Sequence, residues 1–110
     1  MSAVNDVLIQ GGTPGTTTGV TSAVAAAALA DAFKYRGGVS TGNKAKAVLI
    51  YVEDYAVRIA WGVAPVPGTP LGYPVSAGGT IVLSNWKQID AFQHIRETGS
   101  DAKLQVTAFF

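Results

Sequence analysis

Four of the chain's five prolines fall between Pro65 and Pro74, in the stretch GVAPVPGTPLGYPV. Proline gives no N–H to a β-ladder and clashes inside a helix, so this span is excluded from central strands and helices alike. What flanks it is strand-like. Val57, Ile59 and Trp61 alternate before it, with Arg58 facing the other way between alanines. Tyr73–Val75 and Thr80–Ser84 follow it, on either side of the turn Ala77-Gly78-Gly79. The prolines therefore predict strands joined by a stiff, extended arm that runs outside the sheets. Such an arm loses little entropy when it binds.

The same period-two pattern marks the rest of the chain from Ala45 on. In KAVLIYVE, Val48, Ile50 and Val52 share one side and Ala47, Leu49 and Tyr51 the other, both apolar, as in a central strand covered on both faces. Glu53-Asp54-Tyr55 makes the reversal into the return strand. Ser84–Asp90 reads as a helical turn or loop. Ala91–Glu97 and Ala102–Phe110 form a last strand pair around Thr98-Gly99-Ser100-Asp101. Ahead of these strands, TSAVAAAALADAFKYRGG predicts a helix over Ala23–Tyr35. Thr21 or Ser22 would cap it, Lys34 and Arg36 suit its C-terminal end, and Gly37 and Gly38 stop it. The segment Gly11–Gly19 is rich in Gly and Thr and reads as a linker to a short N-terminal arm, Val4–Gln10, able to pair with a neighbour's sheet edge. The expected organisation is an arm and linker over residues 1–22 and one domain over 23–110. Its fold class is mainly β: a single β-sandwich of jelly-roll type with one N-terminal helix.

Totals narrow the function. At 110 residues the chain fills one core, and without cysteine it has neither a disulfide framework nor a thiolate metal site. Charged residues make up 14%, against about 25% in an average domain, which favours a subunit that covers part of its exterior with partners. A formal charge of +1 without a Lys/Arg cluster in the sequence leaves no electrostatic footprint for nucleic acid. The apolar run Val20–Ala32 is too short to span a bilayer, and the N-terminus lacks the positive region of a signal peptide, so the cytoplasm is the expected site of synthesis.

No residue pattern supplies a catalytic, cofactor or metal site. His94, the only histidine, shares a strand face with Phe92 and Arg96, and no serine stands in a strained-elbow motif to serve it; a structural or interface role is expected. Gly37–Ala45 has the glycine spacing of a phosphate-binding loop at Gly37 and Gly42, but Asn43 stands where lysine is needed, and a strand follows rather than a helix. Glu53 and Asp54 occupy one turn rather than facing sides of a cleft, so glycosidase chemistry is excluded. Asp90 and His94 lie four apart, without further ligands for a metal. Trp61, Tyr73, Trp86 and Tyr51 offer a sugar-stacking platform as an alternative to roles in core and interface. Phe109 and Phe110 face opposite ways on a strand, so one is expected outside the core, under a partner. Partner contacts are expected at Pro67, Leu71, Tyr73 and Phe110.

From Ala45 to Phe110 the layout resembles that of small structural proteins of tailed bacteriophages. It runs from VLIYVEDYAVRIAW through the Pro/Thr/Gly loop and the Gly-rich hairpin. Ile89, Phe92 and Ile95–Arg96, the turn Thr98–Ala102 and the final strand Leu104–Phe110 complete it. The resemblance implies a non-enzymatic virion component: a capsid decoration or cement protein, or a head-fibre or tail accessory protein. It would act as a dimer or trimer on the major capsid protein or another virion protein, and be assembled in the host cytoplasm. The resemblance carries no active-site residues and no cofactor. A monomeric carbohydrate-binding module is the alternative.

Overall fold

A computed structural model of the protein describes residues 13–110. In chain order these form β1 (Thr18–Ser22), β2 (Ala27–Ala28), the single helical turn α1 (Asp31–Lys34), a 3-10 turn (Arg36–Gly38), β3 (Ala47–Val52), β4 (Val57–Trp61), β5 (Tyr73–Val75), β6 (Thr80–Leu83), α2 (Trp86–Ala91), β7 (Phe92–Arg96) and β8 (Ala102–Phe109). Two antiparallel four-stranded sheets result, ordered β1-β8-β3-β6 and β2-β7-β4-β5. The expectation of a mainly β sandwich is met.

Alternation decides which side chains fill it. Val48, Ile50 and Val52 of β3 lie opposite Ala108, Val106 and Leu104 of β8, and Val48 and Ile50 also face Leu83 and Ile81 of β6. The second sheet answers with Val57, Ile59 and Phe92, and all of these belong to one buried cluster. The outer face of β3 is apolar as well, and there Ala47 and Leu49 pack with Phe109 and Val82.

The helix expected over Ala23–Tyr35 does not form; only Asp31–Lys34 is helical. Alanine's helix propensity is a weak prior, and a run of methyl side chains has little to bury along a helical face. Instead Ala27 and Ala28 pair with His94 and Gln93 of β7, while Leu29 and Phe33 enter the core. Tyr35 then ends the turn with extended backbone, φ −131° and ψ 139°. The Gly/Thr-rich segment is likewise more than a linker. Thr13 and Phe110 exchange two backbone hydrogen bonds of 2.8 Å, Gly15 N–H donates to Ala108 O at 2.7 Å, and β1 pairs with β8 from Thr18. β-branched threonines suit a pleated edge strand. The sandwich thus takes in residues ahead of the boundary expected at Ala23, whereas the expected arm Val4–Gln10 lies outside the described residues.

α2 forms where the sequence reads as a helical turn. Asn85, two residues past the end of β6, caps the helix, its side-chain oxygen accepting from Gln88 N–H at 3.0 Å, and Ile89 drops from the helix into the core. Asn85→Ala is expected to cost about 1 kcal/mol, read as a lower urea midpoint at unchanged slope.

Candidate functional site

The proline loop is not an arm reaching away from the body. It folds back over the outer face of the β2-β7-β4-β5 sheet and is fastened there. Arg58 projects from that face, on the side of β4 opposite Val57 and Ile59, with Ile95 of β7 and Pro74 of β5 across from it. Its Nε and Nη2 donate to the two carboxylate oxygens of Glu97 at 2.7 and 2.9 Å. The remaining nitrogen, Nη1, donates to Gly72 O at 2.9 Å, and Glu97 also accepts from Gly68 N–H at 3.2 Å. One bidentate ion pair therefore holds the loop at its tip and on its return limb. The Arg58 side chain is 9% exposed and that of Glu97 18%, so the pair is largely shielded from water.

Proximity demands the loop's composition. Pro65 is fully buried. Gly72 has φ +105°, and a Cβ there would stand 2.7 Å from Ile59 O, 3.0 Å from Arg58 Cγ and 3.1 Å from Pro65 Cβ, so only glycine fits. At the tip, Val66 N–H donates to Leu71 O at 3.2 Å and Thr69 Oγ1 donates to Val66 O at 2.7 Å, closing a small hairpin. The hydrogen bond from Arg58 holds the Glu97 carboxyl below its ordinary range, and Glu97 in turn raises Arg58.

This anchored segment displays apolar side chains. Trp61, Val63, Val66, Leu71 and Tyr73 are between 38% and 65% exposed, five large hydrophobic residues within one stretch of chain. The Trp61 and Tyr73 rings meet at 6.3 Å between centroids, and Trp61 packs edge-on against buried Phe92 at 6.0 Å. Trp61 thus belongs to the core-side face of β4, as alternation predicts, but stands at the strand's open end. Pro67 is half-buried in the loop.

The other expected residues lie elsewhere. Phe110 is half-buried against the core and lines a cleft of about 320 Å³ with Phe33, Thr16 and Thr18 rather than standing exposed. Phe109, facing the other way, is buried on the outer side of the sheet. The four-aromatic platform divides. Trp86 packs against Tyr35 at 5.2 Å under the Lys44 ammonium at 5.0 Å, and Tyr51 lies on the outer face of the other sheet, so only Trp61 and Tyr73 adjoin. Asp90 pairs with Lys34 at 3.5 Å. Asp54 accepts from the backbone N–H of Lys103 at 2.8 Å and of Tyr55 at 2.9 Å, a turn staple that lowers its pKa. Gly37–Ala45 is closed by Gly42 N–H to Val39 O at 2.8 Å within it and by Arg36 N–H to Asn43 O at 2.8 Å from just before it.

His94 is 2% exposed, and its Nδ1 lies 2.8 Å from Ser22 Oγ, itself fully buried. The pair links β1 of one sheet to β7 of the other across the core. Burial pushes the imidazole pKa down. Sequence reasoning missed Ser22, seventy-two residues away with no local pattern to mark it. It also missed the Arg58–Glu97 fastening, for which the one signal was a lone arginine on an otherwise apolar strand.

No family model, curated protein or solved structure matches the chain.

Proposed function

We propose that this chain is a non-enzymatic structural subunit of a tailed-phage virion. It self-associates and seats on the major capsid protein or another virion protein through the apolar residues of Trp61–Tyr73. The observation that carries this reading is the fastening: exposed Val63, Val66 and Leu71 are borne on a loop pinned by Arg58 and Glu97, with exposed Trp61 and Tyr73 on the strand ends that flank it. Such a patch is ordered before it binds, so little entropy is lost at the contact.

The fold reading goes further, to a jelly roll. The pairings β1–β8, β2–β7, β3–β6 and β4–β5 are those of one long hairpin wound up into two sheets. Eight-stranded rolls of this kind build capsid and lectin domains. The low charge fraction and the resemblance of Ala45–Phe110 to phage structural proteins support the virion over other settings, with assembly in the host cytoplasm.

Leu71→Ser with Tyr73→Ser tests the contact. Both side chains are exposed, so stability should change by less than about 0.5 kcal/mol, while co-sedimentation with bare phage shells should fall at least tenfold. Undiminished co-sedimentation would remove the stretch from the interface.

The exposed Trp61–Tyr73 pair also favours a second reading, a carbohydrate-binding module that stacks a sugar on these rings. Tryptophan fluorescence that shifts on adding oligosaccharides, together with no shell binding, would put this reading first.

A further inference from the structure

We propose that β6 is a seam along which two copies of this chain associate, edge to edge and antiparallel across a two-fold axis. The inference rests on the self-association in the reading above and gives that self-association a place. β6 is an edge strand of the β1-β8-β3-β6 sheet. Its register with β3 fixes which backbone groups are already used. Val52 N–H donates to Gly79 O at 2.9 Å, and Ile50 and Val48 lie opposite Ile81 and Leu83. Antiparallel alternation therefore turns the backbone groups of Ile81 and Leu83 toward β3 and those of Thr80 and Val82 outward. No hydrogen bond reaches these outward groups among the described residues, while the next one along, Ser84 N–H, is capped by Gln88 Oε1 at 2.8 Å.

Edge strands are ordinarily blunted by proline, charge, shortness or cover. Three edges of this sandwich are. β5 carries Pro74, and β2 is two residues long. The start of β1 faces the α1 and 3-10 segment across the cleft, whose lining runs from Thr16 and Thr18 to Ala32, Phe33, Gly37 and Gly38. β6, with the sequence Thr-Ile-Val-Leu, carries neither proline nor charge, is longer than β2 and β5, and among the described residues has no backbone partner on its outer edge.

The occupant follows from symmetry. Placing Ile81 opposite Ile81 of a second copy sets Thr80 against Val82 twice over. Every outward N–H and C=O is then satisfied, giving four hydrogen bonds from one edge. The contact is isologous and closes at two copies. It needs no segment to be ordered first, because β6 is already a strand.

Light scattering over a concentration series, with residue-resolved amide exchange, tests the seam on the full chain. A dimer is expected in which the Thr80 and Val82 amides are protected, becoming fast on dilution while Ile81 and Leu83 stay protected. Val82→Pro deletes an outward N–H and leaves the bonds to β3 in place. It should raise the dimer Kd on the order of 100-fold, roughly tenfold for each of the two bonds lost, with the circular dichroism of the fold unchanged. Ile81→Cys, at the axis in a chain without cysteine, should form a disulfide-linked dimer under mild oxidation. A monomer at every concentration would overturn the seam and leave shell binding through Trp61–Tyr73 standing. A dimer whose Thr80 and Val82 amides exchange freely would place self-association on another surface. Protection of these amides without the Ile81→Cys link would assign the edge to a different strand. Either of those last two results also overturns the β6 pairing.

Discussion

Replacing Arg58 with alanine should destabilise the fold clearly, read as a lower urea midpoint, because removing one partner of a shielded bidentate pair leaves the other charge uncompensated. The loss has three parts. Glu97 keeps its charge without its partner, Gly72 O loses its donor, and the guanidinium stem no longer fills the space under Pro65 and Gly72. The loop should then loosen, so limited proteolysis between Pro65 and Gly72 should speed up before the rest of the chain is cut. Arg58→Lys should rescue little, because an ammonium cannot present the same fork to two carboxylate oxygens and a carbonyl at once. In a double-mutant cycle, adding Glu97→Ala to Arg58→Ala should cost less than the two separate losses combined. Urea unfolding followed by tryptophan fluorescence measures the four variants and the wild type. Equal stability of Arg58→Ala and the wild type would mean that the loop is held by something else.

Stability should also fall on acidification in two separate steps. The ordinary histidine pKa of 6.5 is lowered by burial at His94. Above that value the imidazole is neutral in both folded and unfolded chains and stability does not depend on it. Below it the unfolded chain takes up a proton that the folded chain refuses. Stability therefore drops as pH falls through 6.5, by at most about 1.4 kcal/mol per pH unit, until the folded state itself protonates. The carboxylates act lower down. Glu97 and Asp54 have pKa values depressed from 4.5 and 3.8, so their contributions are present above those values and vanish as pH falls below them. His94→Asn keeps a polar group facing Ser22 and removes the titration. Its stability should be flat between about pH 6.5 and 4.5 while the lower step persists. Persistence of the upper step in that variant would contradict the assignment, since the chain has no other histidine.

Local pattern carried the fold wherever apolar side chains recur with a period of two. β3, β4, β7 and β8 were legible because a residue such as Ile50 or Leu104 has one buried side to go to. β5 and β6 were legible because a glycine turn separates two short apolar runs. β1 and β2 were not. Threonine and alanine say little about environment, and β2 exists only because His94 and Gln93 offer it a ladder. Proline chemistry placed Pro65–Pro70 outside the sheets. Pro74, expected outside them too, lies in edge strand β5 opposite Arg58, where a missing N–H is tolerated. Nor could proline chemistry say where the loop would come to rest. That depended on Arg58 meeting Glu97, thirty-nine residues apart, and pairings at such distances leave no period in a sequence. The exposure of Leu71 and Tyr73 was legible from the loop's composition. The surroundings of Phe110 were not legible, because the residues from Thr13 to Thr18, read as linker, run alongside it and share its cleft.

Hydroxyl-radical footprinting of the protein with and without bare phage shells reads the adhesive stretch residue by residue. Labelling of Trp61, Leu71 and Tyr73 should fall severalfold on the shells. Tyr55, 47% exposed in the turn at the other end of β4, should be labelled as before and serves as the internal standard. Protein that sediments with the shells while Trp61, Leu71 and Tyr73 are labelled as in the free state would contradict adhesion through this loop.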